Sequence, residues 1–179
     1  QFEAQKGVNV LYKKNETNDI FTLIYVFNTG TENDPALNLA FDYLSYLGTD
    51  KMSAEQIASE MYAIACSFGL SAGTNQSWIE ISGLSENMGK AMEIVEGLIA
   101  GAQPNEEILQ NLKGDMIKSR ADAKLNQSRC FGALQRYMIY GSDFIRRTTL
   151  TDPALQGLTS EQLLATLGGL MGQQHERLY

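Results

Sequence analysis

Polar and apolar residues alternate over Val8 to Lys13, and a run of β-branched and aromatic residues follows from Ile20 to Phe27. Period-two patterning on either side of the polar stretch Asn15 to Asp19 predicts two strands joined as a hairpin. From Pro35 to Leu47, the apolar residues Leu37, Ala40, Phe41, Leu44 and Leu47 recur at helical spacing, which places them on one helix face. Ser53-Ala-Glu-Gln56 is a capping box, in which the serine side chain accepts from a free helix N–H while Gln56 reaches back. Ile57, Met61, Ile64 and Phe68 then form one stripe of the helix that it opens. Leu70 to Thr74 and Trp78 to Gly83 predict a second strand pair, turning at Asn75-Gln76.

Farther along, Ser85 is placed to cap a third helix that gathers Met88, Ala91, Met92, Val95, Leu98 and Ile99 on one face. Pro104 opens a longer helical region from Asn105 to about Asn126, and more helix is expected through Tyr140. Thr159 to Gln162 is another capping box, beginning a helix that should stop within Gly168 to Gly172. Glu176 to Tyr179 reads as a strand that has just begun. The pattern is that of an α+β fold, an antiparallel-rich sheet packed with helices in the order β-β-α-α-β-β-α, then further helices. Residues 1–179 read as a single domain whose final strands are expected beyond Tyr179, so an open sheet edge is expected at that end.

Composition narrows the function classes. With 44% hydrophobic residues, the 179-residue chain can bury a sizeable core. A formal charge of −7 argues against nucleic acid or an anionic membrane surface as the main partner, because both need a basic footprint. No apolar run approaches the roughly 18 residues of a membrane-spanning helix, so no membrane insertion is expected. Because Gln1 replaces an initiator methionine, the chain reads as a piece of a longer parent. Cys66 and Cys130 are too few for a disulfide framework and are expected to be buried thiols, their pairing left open. The Asn-x-Ser/Thr triplets at Asn15, Asn75 and Asn126 are read as chance matches.

The most informative stretch is Asn38 to Ser53, NLAFDYLSYLGTDKMS. It has the frame of a zinc-peptidase helix in which H-x-x-E-H binds the metal and activates water, but the corresponding positions hold Leu39, Asp42 and Tyr43. The exit Gly48, Thr49, Asp50, Lys51 and Ser53 resembles that of the insulinase or pitrilysin family of inverzincin metallopeptidases, and the order of elements is similar nearly end to end. The resemblance implies a third ligand some seventy to eighty residues downstream, and counting from Tyr43 reaches Lys118 to Ala121, where Arg120 stands instead of a carboxylate. Independently of the family, a two-histidine site cannot be built within a chain whose one histidine is His175.

The resemblance therefore implies a noncatalytic copy of the metallopeptidase domain, with no cofactor of its own and zinc carried by another domain of the parent. Its expected partners are the catalytic lobe of that parent and a peptide substrate, with a homodimer of the fragment left open. The expected role is to enclose a proteolytic chamber and help position peptide. The alternatives are a peptide-binding or assembly scaffold in a parent without protease activity, and an unrelated α+β ligand-binding domain, which would be favoured if the strand pairs failed to join one sheet. Multi-domain relatives suggest a bacterial cell envelope or periplasm.

Other residues have plainer readings. His175 with either cysteine lacks any hydrolase signature. Asp42 with Glu55 or Glu60 is expected to be a solvated helix face, and Met52, Met61, Met88 and Met92 are expected to be core. Arg129, Arg136, Arg146 and Arg147 with Lys113, Lys118, Arg120 and Lys124 make the later helices basic, by default as a solvated face, the alternative being a contact surface for an acidic chamber wall or peptide carboxylates. Trp78, Ile79, Glu80, Ile81 and Ser82 form a candidate peptide-contact strand, since active members of the resembled family take substrate as an added strand. Tyr43 is expected to fill the vacant metal pocket with its ring.

Overall fold

The computed structural model of the chain describes residues 2–5, 8–171 and 175–178. Its strands are β1 (Phe2–Gln5), β2 (Val8–Leu11), β3 (Ile20–Phe27), β4 (Cys66–Ala72), β5 (Ser77–Leu84) and β6 (His175–Leu178). The helices are α1 (Leu37–Leu44), α2 (Ala54–Ala63), α3 (Met88–Gly101), α4 (Glu106–Lys124), α5 (Gln127–Thr148, broken by a kink at Gly141, where φ is 75°), α6 (Asp152–Gly157) and α7 (Ser160–Met171). The strands form one sheet in the order β1-β2-β6-β3-β5-β4. The pairings are antiparallel except β2 with β6.

One face of this sheet carries the core. Leu23, Tyr25 and Phe27 of β3 alternate with Thr22, Ile24 and Val26, and Ile79 and Ile81 of β5 continue the buried row. Against it pack Phe41 and Leu44 of α1, Ile57 and Met61 of α2 and Val95 and Leu98 of α3, and Leu109 of α4 and Leu163 and Leu167 of α7 extend the same core on the far side of α1. Each such side chain contributes roughly 1.5–3 kcal/mol by leaving water. Of the four methionines expected in the core, Met61 is core and Met52 and Met92 pack against it, whereas Met88 lines a surface hollow with Phe21 and Ser85.

The local signals acted as their chemistry requires. Ser53 accepts from Gln56 N while the Gln56 side chain accepts from Ser53 N, and Thr159 and Gln162 do the same before α7. Thr49 Oγ1 accepts from Lys51 N and Met52 N, folding the exit of α1 into a tight turn. A Cβ at Gly48 would sit 2.5 Å from Met52 O, so this turn needs glycine.

Long-range pairing overrides several local expectations. Val8–Leu11 and Ile20–Phe27 do not form a hairpin, because β6 lies between them, parallel to one and antiparallel to the other. The segment joining them is too long to fix a register, and Asn15 closes it on itself through bonds with Thr17, Asn18 and Ile20. Among the described residues the last strand, β6, is paired on both sides, so it presents no open edge, and the outer strands are β1 and β4. Phe68 belongs to β4 rather than to the helix before it. Ser85 makes no capping bond; it begins a 3-10 turn (Ser85–Asn87), and its N–H donates to Asp19 O. Cys66 is buried, but Cys130 is exposed on α5, and both are free thiols.

Candidate functional site

Helix α1 is apolar nearly all round. Leu37, Leu39, Ala40, Phe41, Tyr43 and Leu44 are buried, and only Asn38 and Asp42 are exposed. Such a helix belongs inside a domain, and here it lies between the sheet and α7, also touching α4. Leu39 and Tyr43, where the resemblance implies the two histidines of H-x-x-E-H, are 1% and 0% exposed.

A phenol buried this deeply must find partners. Tyr43 Oη accepts from Asn105 N at 2.7 Å, and its own proton faces Ser160 Oγ at 3.0 Å and Asn105 O at 3.1 Å. Ser160, itself 1% exposed, donates to Glu106 Oε2 at 2.8 Å. One relay thus runs from the backbone before α4, through α1 and the first residue of α7, to a carboxylate in the first turn of α4. It ties together three helices that are far apart in sequence.

This donor set does not fit zinc. Catalytic zinc needs three His, Cys, Asp or Glu ligands, whereas Leu39 offers none and the Tyr43 oxygen is engaged with Asn105 and Ser160. Among the described residues no three such side chains converge. Asp42 sits on the exposed face of α1, and partial desolvation raises its carboxyl above the usual aspartate range. Glu60 instead pairs with Lys90 at 3.2 Å, and Glu55 is exposed, so the carboxylates weighed with Asp42 form no catalytic pair.

Hydrogen bonds from Gln110 and Ser160 hold the Glu106 carboxyl below its ordinary range. A depressed folded-state value adds stability that is present above the unfolded glutamate range and is lost as pH falls through the folded one. Glu106→Gln is therefore expected to flatten the acid limb of stability. The check is the urea midpoint followed from about pH 7 to about pH 3, and parallel curves for the two proteins would contradict it.

Arg120 does not join Tyr43. The Tyr43 hydroxyl touches Asn105, and Arg120 lies fifteen residues farther on, roughly 22 Å along α4 at the usual rise per residue. It pairs with Asp152 and donates to Leu150 O at 2.7 Å, gripping the start of α6. Lys113 is 3% exposed and donates to Gln156 O and Leu158 O at the other end of that helix. Two of the basic residues read as a solvated face are thus clamps on a helix that the sequence reading missed. Thr151, whose side chain caps Ala154 N, and Pro153 in the first turn were the available signal.

The candidate strand Trp78 to Ser82 is β5, paired with β3 on one side and β4 on the other. Its main chain is fully used, so it cannot accept an added strand. Ile79 and Ile81 point into the core; Trp78, Glu80 and Ser82 face outward and, with Ser67, Gly69 and Ser71 of β4, line a shallow groove. On this side of the sheet the outer strand among the described residues is β4, which also packs against α1.

No sequence-family model matches the chain, and no curated protein sequence does. Solved structures match its fold closely. A peptidase M16 inactive domain from Pseudomonas fluorescens superposes with a TM-score of 0.81 at 17% identity, covering 99% of this chain and 45% of that one. The periplasmic protease PqqL from Escherichia coli gives 0.78 at 17%, covering 96% and 20%. The ferredoxin protease FusC, solved with Arabidopsis ferredoxin, gives 0.75 at 11%, covering 96% and 19%. The chain spans less than half the length of each of these. It has the fold of an M16 peptidase domain, with helix α1 lacking the donors that would hold zinc.

Proposed function

We propose that this chain is the noncatalytic lobe of a zinc metalloendopeptidase of the insulinase or pitrilysin type. The observation that carries the reading is Tyr43, a buried phenol bonded to Asn105 and Ser160 at a position where the resembled family places a metal ligand. The likeness to an inactive M16 domain supports it. Another domain of the parent holds zinc and cleaves, while this lobe helps close the chamber and align peptide.

The free edge of β4 and the outward side chains of Trp78, Glu80 and Ser82 are the surface assigned to peptide. Main-chain pairing there would give sequence-tolerant affinity. A scaffold parent without proteolysis could use the same surface, so peptide binding alone does not separate the two readings. PqqL is a periplasmic protease, and we place this chain in a cell envelope on that likeness. No helix of the described residues is long and apolar enough to cross a membrane.

The test uses the chain itself. An unstructured peptide should bind without being cut, and dialysis against zinc should leave well under one ion per chain. Stoichiometric zinc with peptide cleavage would overturn the noncatalytic reading.

A further inference from the structure

Besides the β4 groove, a second concavity of about 520 Å³ is lined by Glu32, Thr74, Asn75, Arg136, Tyr140 and Phe144. Three separate segments build it. The loop after β3 is strapped to the β4–β5 turn by Thr31 N to Gly73 O and Glu32 N to Thr74 O, both 2.9 Å. That approach needs glycine at position 30, where a Cβ would lie 2.2 Å from Thr74 O. Arg147 of α5 then reaches Glu32 at 2.6 Å, pinning the end of that helix to the loop.

Within this cradle Arg136 is held ready. Its guanidinium lies 5.6 Å from the centre of the Phe144 ring, Phe144 stacks on Tyr140 at 4.7 Å, and Thr148 Oγ1 takes one long bond of 3.5 Å. Arg146 and Arg147 each hold a carboxylate, on Asp143 and Glu32. Arg136 has none within ion-pair distance among the described residues. Glu32 is the acid in the lining and is already neutralised by Arg147, so one positive charge is left over. A planar cation stacked on an aromatic ring, with no carboxylate on its fork and Thr74 and Asn75 in the same lining, is suited to a bidentate acceptor.

We propose that this cavity binds a carboxylate, either the C-terminal one of a peptide or an acidic side chain. The inference rests on the peptide-binding reading and extends it. Thr74 and Asn75 also line the adjoining hollow beneath Trp78, so a peptide lying over the outward sheet face reaches Arg136 without a break.

The experiment measures binding of four unstructured peptides to the intact chain: C-terminal acid or amide, each with one internal Asp or Asn. At least one carboxylate is expected to tighten binding about tenfold. Arg136→Gln should abolish that difference, and Arg136→Lys should restore it only in part. Whether the acid or the Asp series shows the effect identifies the source. Equal affinity for all four peptides would overturn the carboxylate site while leaving peptide binding intact. If no peptide binds, N-acetylglycine decides by NMR: shifts at Thr74 and Asn75 that vanish in Arg136→Gln keep the site and remove the peptide reading, and no shifts remove the site as well.

Discussion

Tyr43→Ala is expected to destabilise the chain by about 3–5 kcal/mol and Tyr43→Phe by about 1–3 kcal/mol. The larger value combines lost burial of the ring with the cavity left between the helices by a residue that is 0% exposed. The smaller isolates the hydroxyl, whose removal leaves Asn105 N–H without its 2.7 Å acceptor and Ser160 without one of its partners. Both are read from urea unfolding at neutral pH, where the phenylalanine variant should keep the slope of the transition. A Tyr43→Phe protein as stable as the parent would mean that the relay is incidental.

The second large effect concerns restoring the motif. The combined variant L39H, D42E and Y43H would rebuild H-x-x-E-H on α1, yet it is expected to lose at least about 4 kcal/mol and to remain free of stoichiometric zinc. Leu39 is buried among apolar neighbours, so an imidazole there brings a polar ring into a site without partners. Arg120, near which the resemblance implies a third ligand, is directed to Asp152 and Leu150. Calorimetry with zinc and elemental analysis check the outcome. Tight, stoichiometric binding would show that the loss of the ligands alone separates this domain from an active one.

Much of the fold could be read from the chain because its strongest signals are local. The capping boxes at Ser53 and Thr159 need only four consecutive residues, and the helical spacing of Leu37 to Leu47 is fixed by period. What could not be read is set by pairing at long range. Nothing near Val8 or Ile20 shows that β6 will lie between them, because the slot is created by the whole sheet. The same holds for the site. Tyr43 could be recognised as standing in a metal position, but its partners Asn105 and Ser160 lie 62 and 117 residues away in sequence. The resemblance points to Trp78 to Ser82 as the strand that takes peptide, whereas edge position is a property of the assembled sheet, and on this side of it the edge is β4. Lys113 and Arg120 looked like surface charge because composition does not show that carbonyls of a short helix wait beside them.

The most direct test of the central claim is hydrolysis of an unstructured peptide by the full-length parent, with and without residues 1–179, alongside zinc content in both forms. The account predicts that zinc stays bound in the shortened protein while cleavage collapses. If neither form holds zinc or cleaves, or if cleavage is undiminished after removal, the chain is not the noncatalytic lobe of a working protease.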